Sequence, residues 1–294
     1  MSRRPDRGAT VHAPVAADDR PPAFYFLSDY GLTDEFVGVV HAVLHRSAPG
    51  VPVIDLTHQV PPFDVASGAA TLARASRHLG PGVVLAVVDP GVATERRGVA
   101  VAVAVGPSTA MGPTWLVGPD NGLLPPAADR LGGPVAAVEL TPTGRSTFDG
   151  RDRFAPAAAH LAMGGDPSRL GSEVTVASLV RLPSWPADRF HDGGLRTAIS
   201  HVDTFGNVQL RAQPSAFPRL SMVMGKVLGV TMVGSDPAPA RWVGAFADLA
   251  VDELGILVDS DGQLALVLDQ ATAAERLGLG PSATGTEVIL HRIG

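Results

Sequence analysis

At 294 residues the chain is long enough for two domains, and its 45% hydrophobic content supports a full core rather than global disorder. The formal net charge of -6, with Lys and Arg scattered, gives no nucleic-acid footprint, and no apolar run reaches transmembrane length, so neither partner class is expected. With 0 cysteines the chain has no disulfides, no Cys-ligated zinc and no thiol nucleophile, and no signal core opens it, which fits a reducing cytoplasm.

Residues 1–22, "MSRRPDRGATVHAPVAADDRPP", are polar, Pro-rich and aperiodic and read as a disordered tail. From Ala23 onward, "AFYFLS", "VPVIDL", "GVVLAVV", "GVAVAVAV" and "TWLVG" read as strands, buried on both faces where the apolar run is continuous. "DEFVGVVHAVLHRSAPG" and "VASGAATLARASRHLG" read as helices, the second closed by Gly80 as a C-cap. Strands alternating with helices predict an N-terminal α/β sandwich with a largely parallel sheet over residues 23–180. The Pro- and Gly-rich stretch 181–194 reads as a linker. Beyond it, "LRTAISHVDTFGNVQL", "KVLGVTMVG", "LGILVDS", "QLALVLD" and "TEVILHRI" are short strands separated by turns, which predicts a smaller all-β, barrel-like domain over 195–294.

Four of the expected strands carry an Asp at or near their ends: Asp29, Asp55, Asp89 and Asp120. Ligands of open α/β sheets sit beyond the carboxyl ends of the strands. Acidic groups gathered there suit a polyhydroxylated or cationic ligand, and neither a GxGxxG loop nor a P-loop Lys is present to hold phosphate. Singly, Asp55 and Asp120 read as turn formers. Asp89 is followed seven positions later by Arg96, and such a pair serves equally as a structural ion pair or as part of a site. His41 and His45 have an i, i+4 spacing able to bind metal. With no HExxH context and no third ligand in view, they read as surface or core histidines and no metal is expected.

The segments "FLSDYGLTDEFVG", "IDLTHQVPPFDVASGAATL", "AVVDPGVATERRGVAV", "VGPDNGLL", "TFDGRDRFAPAAAHLA" and "DTFGNVQL" occur in order. Together they closely resemble the S-adenosylmethionine (SAM) hydroxide adenosyltransferases, a family that also holds the SAM fluorinase and chlorinase. The resemblance spans roughly residues 23–292. It implies displacement at the ribose C5′ of SAM, with methionine released and adenosine formed when the nucleophile is water. No cofactor is implied beyond SAM as substrate, and the implied assembly is a homotrimer with sites at subunit interfaces.

Carried over residue by residue, the resemblance makes Asp29 the acceptor for the ribose hydroxyls and Asp34 the residue holding the methionine ammonium. It sets Phe63 against the ribose. Asp203, Phe205, Asn207, Phe246 and Ser260 then line the methionine and adenine ends. The hydrolytic members have an Asp-Arg-His triad, of which Asp89 and Arg96 match the first two. The third position is Asp149, in "TFDGRD" where TFHGRD is expected, with Phe148 beside it among the substrate-binding residues. Asp89 would accept the proton of the attacking water while Arg96 keeps that carboxylate ionised. Transfer of adenosyl to another nucleophile, halide included, and a non-catalytic SAM or adenosine sensor are the rival expectations.

Overall fold

A computed structural model describes residues 22–103, 114–142, 144, 146–183, 188–191, 194–220, 222–232, 234–280 and 283–293. The expected tail, apart from Pro22, lies outside the described residues, as do 184–187 and 192–193 of the expected linker. Two compact units divide the chain, the first ending at Arg181 and the second beginning at Leu182.

In the first unit the chain runs β1 (Ala23–Ser28), α1 (Phe36–Ser47), β2 (Val53–Thr57), α2 (Val65–Ala75), β3 (Gly82–Val87), β4 (Gly98–Val103), β5 (Thr114–Pro119), α3 (Pro125–Arg130), β6 (Pro134–Leu140), α4 (Ala155–Ala162) and β7 (Gly171–Val174). The seven strands form one sheet in the order β2-β1-β3-β5-β4-β6-β7. The first four of these are mutually parallel. From β5 through β4 and β6 to β7 every pairing is antiparallel, so the sheet is mixed.

β1, β3 and β4 are apolar runs because both faces of the sheet are covered. Phe24 and Phe26 of β1 pack with Val40 and Leu44 of α1 and with α4. On the other face α2 and α3 pack together. Asp64 starts α2, accepting hydrogen bonds from Ser67 N (2.9 Å) and Ser67 Oγ (2.6 Å). Gly80 is not the C-cap of α2, which ends at Ala75 and tightens into a 3₁₀ turn over Ser76–His78. The Gly80 N–H instead donates to the Tyr25 hydroxyl (2.9 Å), fixing the entry to β3.

The reversal of direction after β3 positions the site. β4 runs antiparallel to β5, with Gly98 opposite Pro119, so it begins at the edge where β1, β3 and β5 end. That brings Arg96 and Arg97 to the strand-end carboxylates. β6 runs antiparallel to β4 and so ends at this edge too, at Leu140.

The second unit contains β8 (Arg189–His191), which lies in the segment read as linker, then β9 (Gly194–Val202), β10 (Val208–Leu210), β11 (Val227–Met232), β12 (Ala238–Trp242), β13 (Gly255–Val258), β14 (Leu264–Val267), a short α5 (Ala273–Arg276) and β15 (Glu287–Arg292). The ring β9-β10-β14-β13-β12-β11-β15 closes when β15 pairs back onto β9, leaving β8 as an added strand on β9. Closure satisfies the strand edges and encloses Leu195, Ile199, Phe217, Ile256 and Leu266.

Candidate active site

At the carboxyl edge of the first sheet, Asp89 follows β3 and Arg96 precedes β4. The intervening loop is a compact turn: Val92 N bonds to Asp89 O (3.3 Å), Thr94 Oγ1 donates to Gly91 O (2.6 Å), and Ala93 has a φ of 62°. The turn folds Arg96 back so that it grips Asp89 with two bonds, Nε to Oδ1 at 3.0 Å and Nη2 to Oδ2. Nη2 also donates to Asp149 Oδ2 at 2.9 Å, and Nη1 donates to Arg97 O at 3.0 Å. One guanidinium therefore bridges two carboxylates, and all three side chains are nearly buried, at 6%, 9% and 11% exposed for Asp89, Arg96 and Asp149. Four of the five N–H groups of Arg96 are engaged, and its guanidinium carbon sits 5.3 Å from the Phe154 ring centroid.

Asp149 is delivered by a π-helical turn, Gly150–Phe154, that runs into α4. Such widened turns recur at functional sites because they rotate a side chain out of helical register. A second guanidinium stands nearby: Arg153 Nη1 lies 3.9 Å from Asp149 Oδ2, and its Nη2 donates to the Leu140 carbonyl. Burial lowers the proton affinity of Arg153. Burial raises Asp89 above the ordinary carboxylate range; Arg96 opposes this and the like charge of Asp149 adds to it. Arg97 is not part of this cluster. It pairs with Asp120 (2.5 Å) and donates to Ser178 O (2.7 Å), while Asp120 accepts from Val180 N (2.8 Å), so Asp120 is a structural anchor.

Asp29, at the end of β1, accepts a hydrogen bond from Phe63 N (2.9 Å), and burial raises its proton affinity against that bond. Phe63 is held in a left-handed conformation, φ 67°, and the residue is 71% exposed. Bulky residues rarely adopt that conformation except where the surrounding structure imposes it. Phe148 meets both Tyr30 and Phe36 edge-to-face, and those two rings tilt against each other, with centroids 5.2–5.8 Å apart throughout. Asp34 is exposed just before α1, whose N-cap position falls at Glu35. Asp55 turns away from Asp29 and Asp89 toward His41 and His58.

Sequence reading missed Tyr30 and Arg153. Tyr30 is partly buried, and removal of its phenol from water, followed by the negative charges of Asp29, Asp89 and Asp149, pushes its proton affinity well above the usual range. Its hydroxyl fills the space a Cβ at Gly150 would take, 2.1 Å from that position. Adjacency to Asp29 was the signal available for Tyr30. For Arg153 the available signal was its spacing of four from Asp149, which allows an ion pair between them.

In the second unit, Phe205, Asn207 and Phe246 line one groove together with Thr204 and residues 268–272. Asp203 holds the turn that presents Phe205 and Asn207, accepting from Phe205 N and Asn207 N at 2.9 Å each and from Asn207 Nδ2 at 2.8 Å. Ser260 is not brought to this groove. It lies on the β13–β14 turn, at the opposite end of β14 from Leu268.

This arrangement can be set against known proteins. The model of the SAM hydroxide adenosyltransferase N-terminal domain matches residues 24–171, and that of the C-terminal domain matches 197–285. An (R)-S-adenosyl-L-methionine hydrolase of Salinispora tropica is 46% identical over 266 residues, 88% of this chain and 95% of that protein. A fluorinase of Nocardia brasiliensis is 27% identical over 285 residues, 88% of this chain and 94% of its own. Among solved structures, an uncharacterized conserved protein from Thermotoga maritima superposes with a TM-score of 0.81 at 32% identity, covering 92% of this chain and 100% of that one. With both domain models matched in order and a relative this similar along nearly its whole length, the chain belongs to the SAM hydroxide adenosyltransferase family.

Proposed function

We propose that this protein hydrolyses SAM, with water attacking the ribose C5′ to give adenosine and L-methionine. The observation that carries the reading is the buried Asp89–Arg96–Asp149 bridge at the carboxyl edge of the sheet, in a chain 46% identical to a SAM hydrolase. The sulfonium is already a good leaving group, so the protein has to align the nucleophile and exclude bulk water. As the new C5′–O bond forms, the C5′–S bond breaks, its electron pair stays on methionine sulfur, and the proton of water passes to Asp89. Arg96 orients that carboxylate, and Asp29 accepts hydrogen bonds from the ribose hydroxyls, with the ring of the exposed Phe63 against the sugar.

Halide is disfavoured on two grounds. It would approach a nearly buried carboxylate, and the Arg96 guanidinium is already committed to acceptors within the chain. Asp149 stands where the resemblance expects His. With Arg153 beside it the cluster holds two carboxylates and two guanidiniums, so the substitution leaves no net buried charge.

The reading further includes a cytoplasmic location, no prosthetic group, and a homotrimer in which a neighbour's second unit completes each site, with Asp34 toward the methionine ammonium. The exposed aromatic residues Phe63, Phe205 and Phe246 (71%, 75% and 42%) support a surface that substrate or a neighbour covers. Mass spectrometry of products from SAM, with and without chloride, tests the reaction. Adenosine and methionine in both cases support it; 5′-chloroadenosine in the presence of chloride moves the protein to the halogenase branch, and unreacted bound SAM makes it a sensor.

A further inference from the structure

The fold assembles a second polar cluster on the other side of β1 from Asp89. β1 pairs with β2 through a bulge: Phe26 lies opposite Asp55, but Leu27 lies opposite Thr57. A bulge re-aims the side chains around it. Here Asp55 comes out beside His41 of α1, with His58 just beyond the strand. His41 Nε2 is 2.8 Å from Asp55 Oδ1, and His58 Nε2 is 3.0 Å from the same oxygen. The three ligand atoms all lie within 4.8 Å of one another. The third ligand that sequence spacing did not offer to His41 is thus supplied, along with a second histidine, by tertiary structure.

We propose that His41, Asp55 and His58 bind a borderline divalent cation of the zinc class. His58 carries the argument. It is 3% exposed, and its Nδ1 lies 2.8 Å from Ser28 Oγ, an outer partner that fixes the ring. Among the described residues its Nε2 has no well-aligned hydrogen-bond partner, and the Asp55 carboxylate 3.0 Å away is its one close polar contact, which, against burial and together with His41, holds Asp55 below its ordinary proton affinity. When Nδ1 donates to Ser28, Nε2 presents a lone pair to an anionic oxygen, an arrangement that a cation between them relieves.

The Phe26 ring packs against both imidazoles, with centroids 6.0 Å from His41 and 4.5 Å from His58, and restricts how they turn. Zinc holds such ligands at about 2.0–2.2 Å, which places tetrahedral ligand atoms about 3.3 Å apart. The two pairs at 2.8 and 3.0 Å have to spread slightly and the two imidazole nitrogens, within 4.8 Å of each other, to settle near the same spacing, adjustments open to the partly exposed side chains of His41 and Asp55. Two imidazoles and one carboxylate, with no thiolate in the chain, suit Zn²⁺ or Co²⁺ and not the all-oxygen preference of Ca²⁺ or Mg²⁺.

The cation would tie α1 to the end of β2 and, through Ser28 and the bond from Gly31 N to His58 O (2.8 Å), to the turn carrying Asp29. Its role is to brace that turn; the cation takes no part in the displacement at C5′.

Co²⁺ titration of the full chain, free of any histidine tag and stripped with chelator, tests the site. Expected are one equivalent bound per chain with the visible bands of four-coordinate Co²⁺, displacement by Zn²⁺, and a higher melting temperature in the loaded protein. His41→Ala and Asp55→Asn should each lose the stoichiometric signal. His45→Ala, one turn along α1 and outside the cluster, should keep it. The proposal is overturned by a wild-type chain that binds no stoichiometric Co²⁺, by binding that survives both His41→Ala and Asp55→Asn, or by binding lost in His45→Ala. Because the readout is metal binding and stability, it stands or falls separately from SAM hydrolysis.

Discussion

Two buried carboxylates around one guanidinium fix what the central residues can do. Asp89 works as a base only when ionised, and both burial and Asp149 hold its proton affinity above the ordinary value. The rate should therefore fall as pH drops through that raised pKa and level off above it. Asp149→Asn removes the like charge, so the acid limb of the pH profile should move to lower pH while part of the rate remains. Asp89→Asn should cost about 10²–10⁴-fold, the usual range for a lost general base. Arg153 alters what a histidine at 149 would achieve: Asp149→His alone leaves two guanidiniums facing one carboxylate and should stay slow, whereas Asp149→His with Arg153→Leu should be faster. An unchanged pH profile in Asp149→Asn would show that Asp149 does not help to set the proton affinity of Asp89. A second prediction concerns Asp29, whose folded-state proton affinity is raised by burial. The stabilising contribution of such a group is complete below its unfolded pKa and is lost as pH rises through the folded value, so ionised Asp29 weakens the ligand-free protein at neutral pH. Asp29→Asn should melt higher at neutral pH, with the gain fading toward about pH 4, and bind adenosine more weakly. Thermal unfolding across pH, beside calorimetry, measures both; a melting temperature unmoved at neutral pH contradicts the sign.

At the scale of elements, the site depends on close approaches that only glycine permits. The π turn can lie against Tyr30 because Gly150 has no side chain; a Cβ there would sit 2.1 Å from the Tyr30 hydroxyl and 3.2 Å from the Phe148 ring. Gly98, the first residue of β4, is similarly pressed, since a Cβ there would sit 2.7 Å from the Phe154 ring and 2.9 Å from the Arg153 guanidinium. Overpacking of this kind costs about 1–3 kcal/mol. Gly150→Ala should therefore lower stability by about that amount and displace Asp149 from Arg96, reducing turnover more than substrate binding. Denaturant unfolding together with kcat and KM checks this, and a stable variant with normal turnover would show that the turn has slack.

At the scale of the whole molecule, the proposed assembly has a measurable consequence. Light scattering should give three chains per particle, and dilution below the assembly range should lower specific activity. A fully active monomer would return all substrate contacts to one chain. No helix among the described residues is long and apolar enough to cross a membrane.

The sequence by itself determined the two-part organisation, because continuous apolar runs alternating with amphipathic segments can only bury their faces as a covered sheet, while short strands with turns close on themselves. It also determined that an arginine stands within reach of Asp89, since Arg96 and Arg97 follow it by seven and eight residues across one turn. Spacing along the chain could not assign partners across it. Whether Arg96 or Arg97 met Asp89, and that Asp120 took the other, was decided by β4 running antiparallel at the edge where the parallel strands end. The arrival of Asp149 at Arg96 from 53 positions away, the placing of Tyr30 among three carboxylates, and the meeting of His41 with Asp55 and His58 were decided the same way. Each depends on strand order, a π turn or a bulge, features set by packing across the whole sheet rather than by any local run of residues.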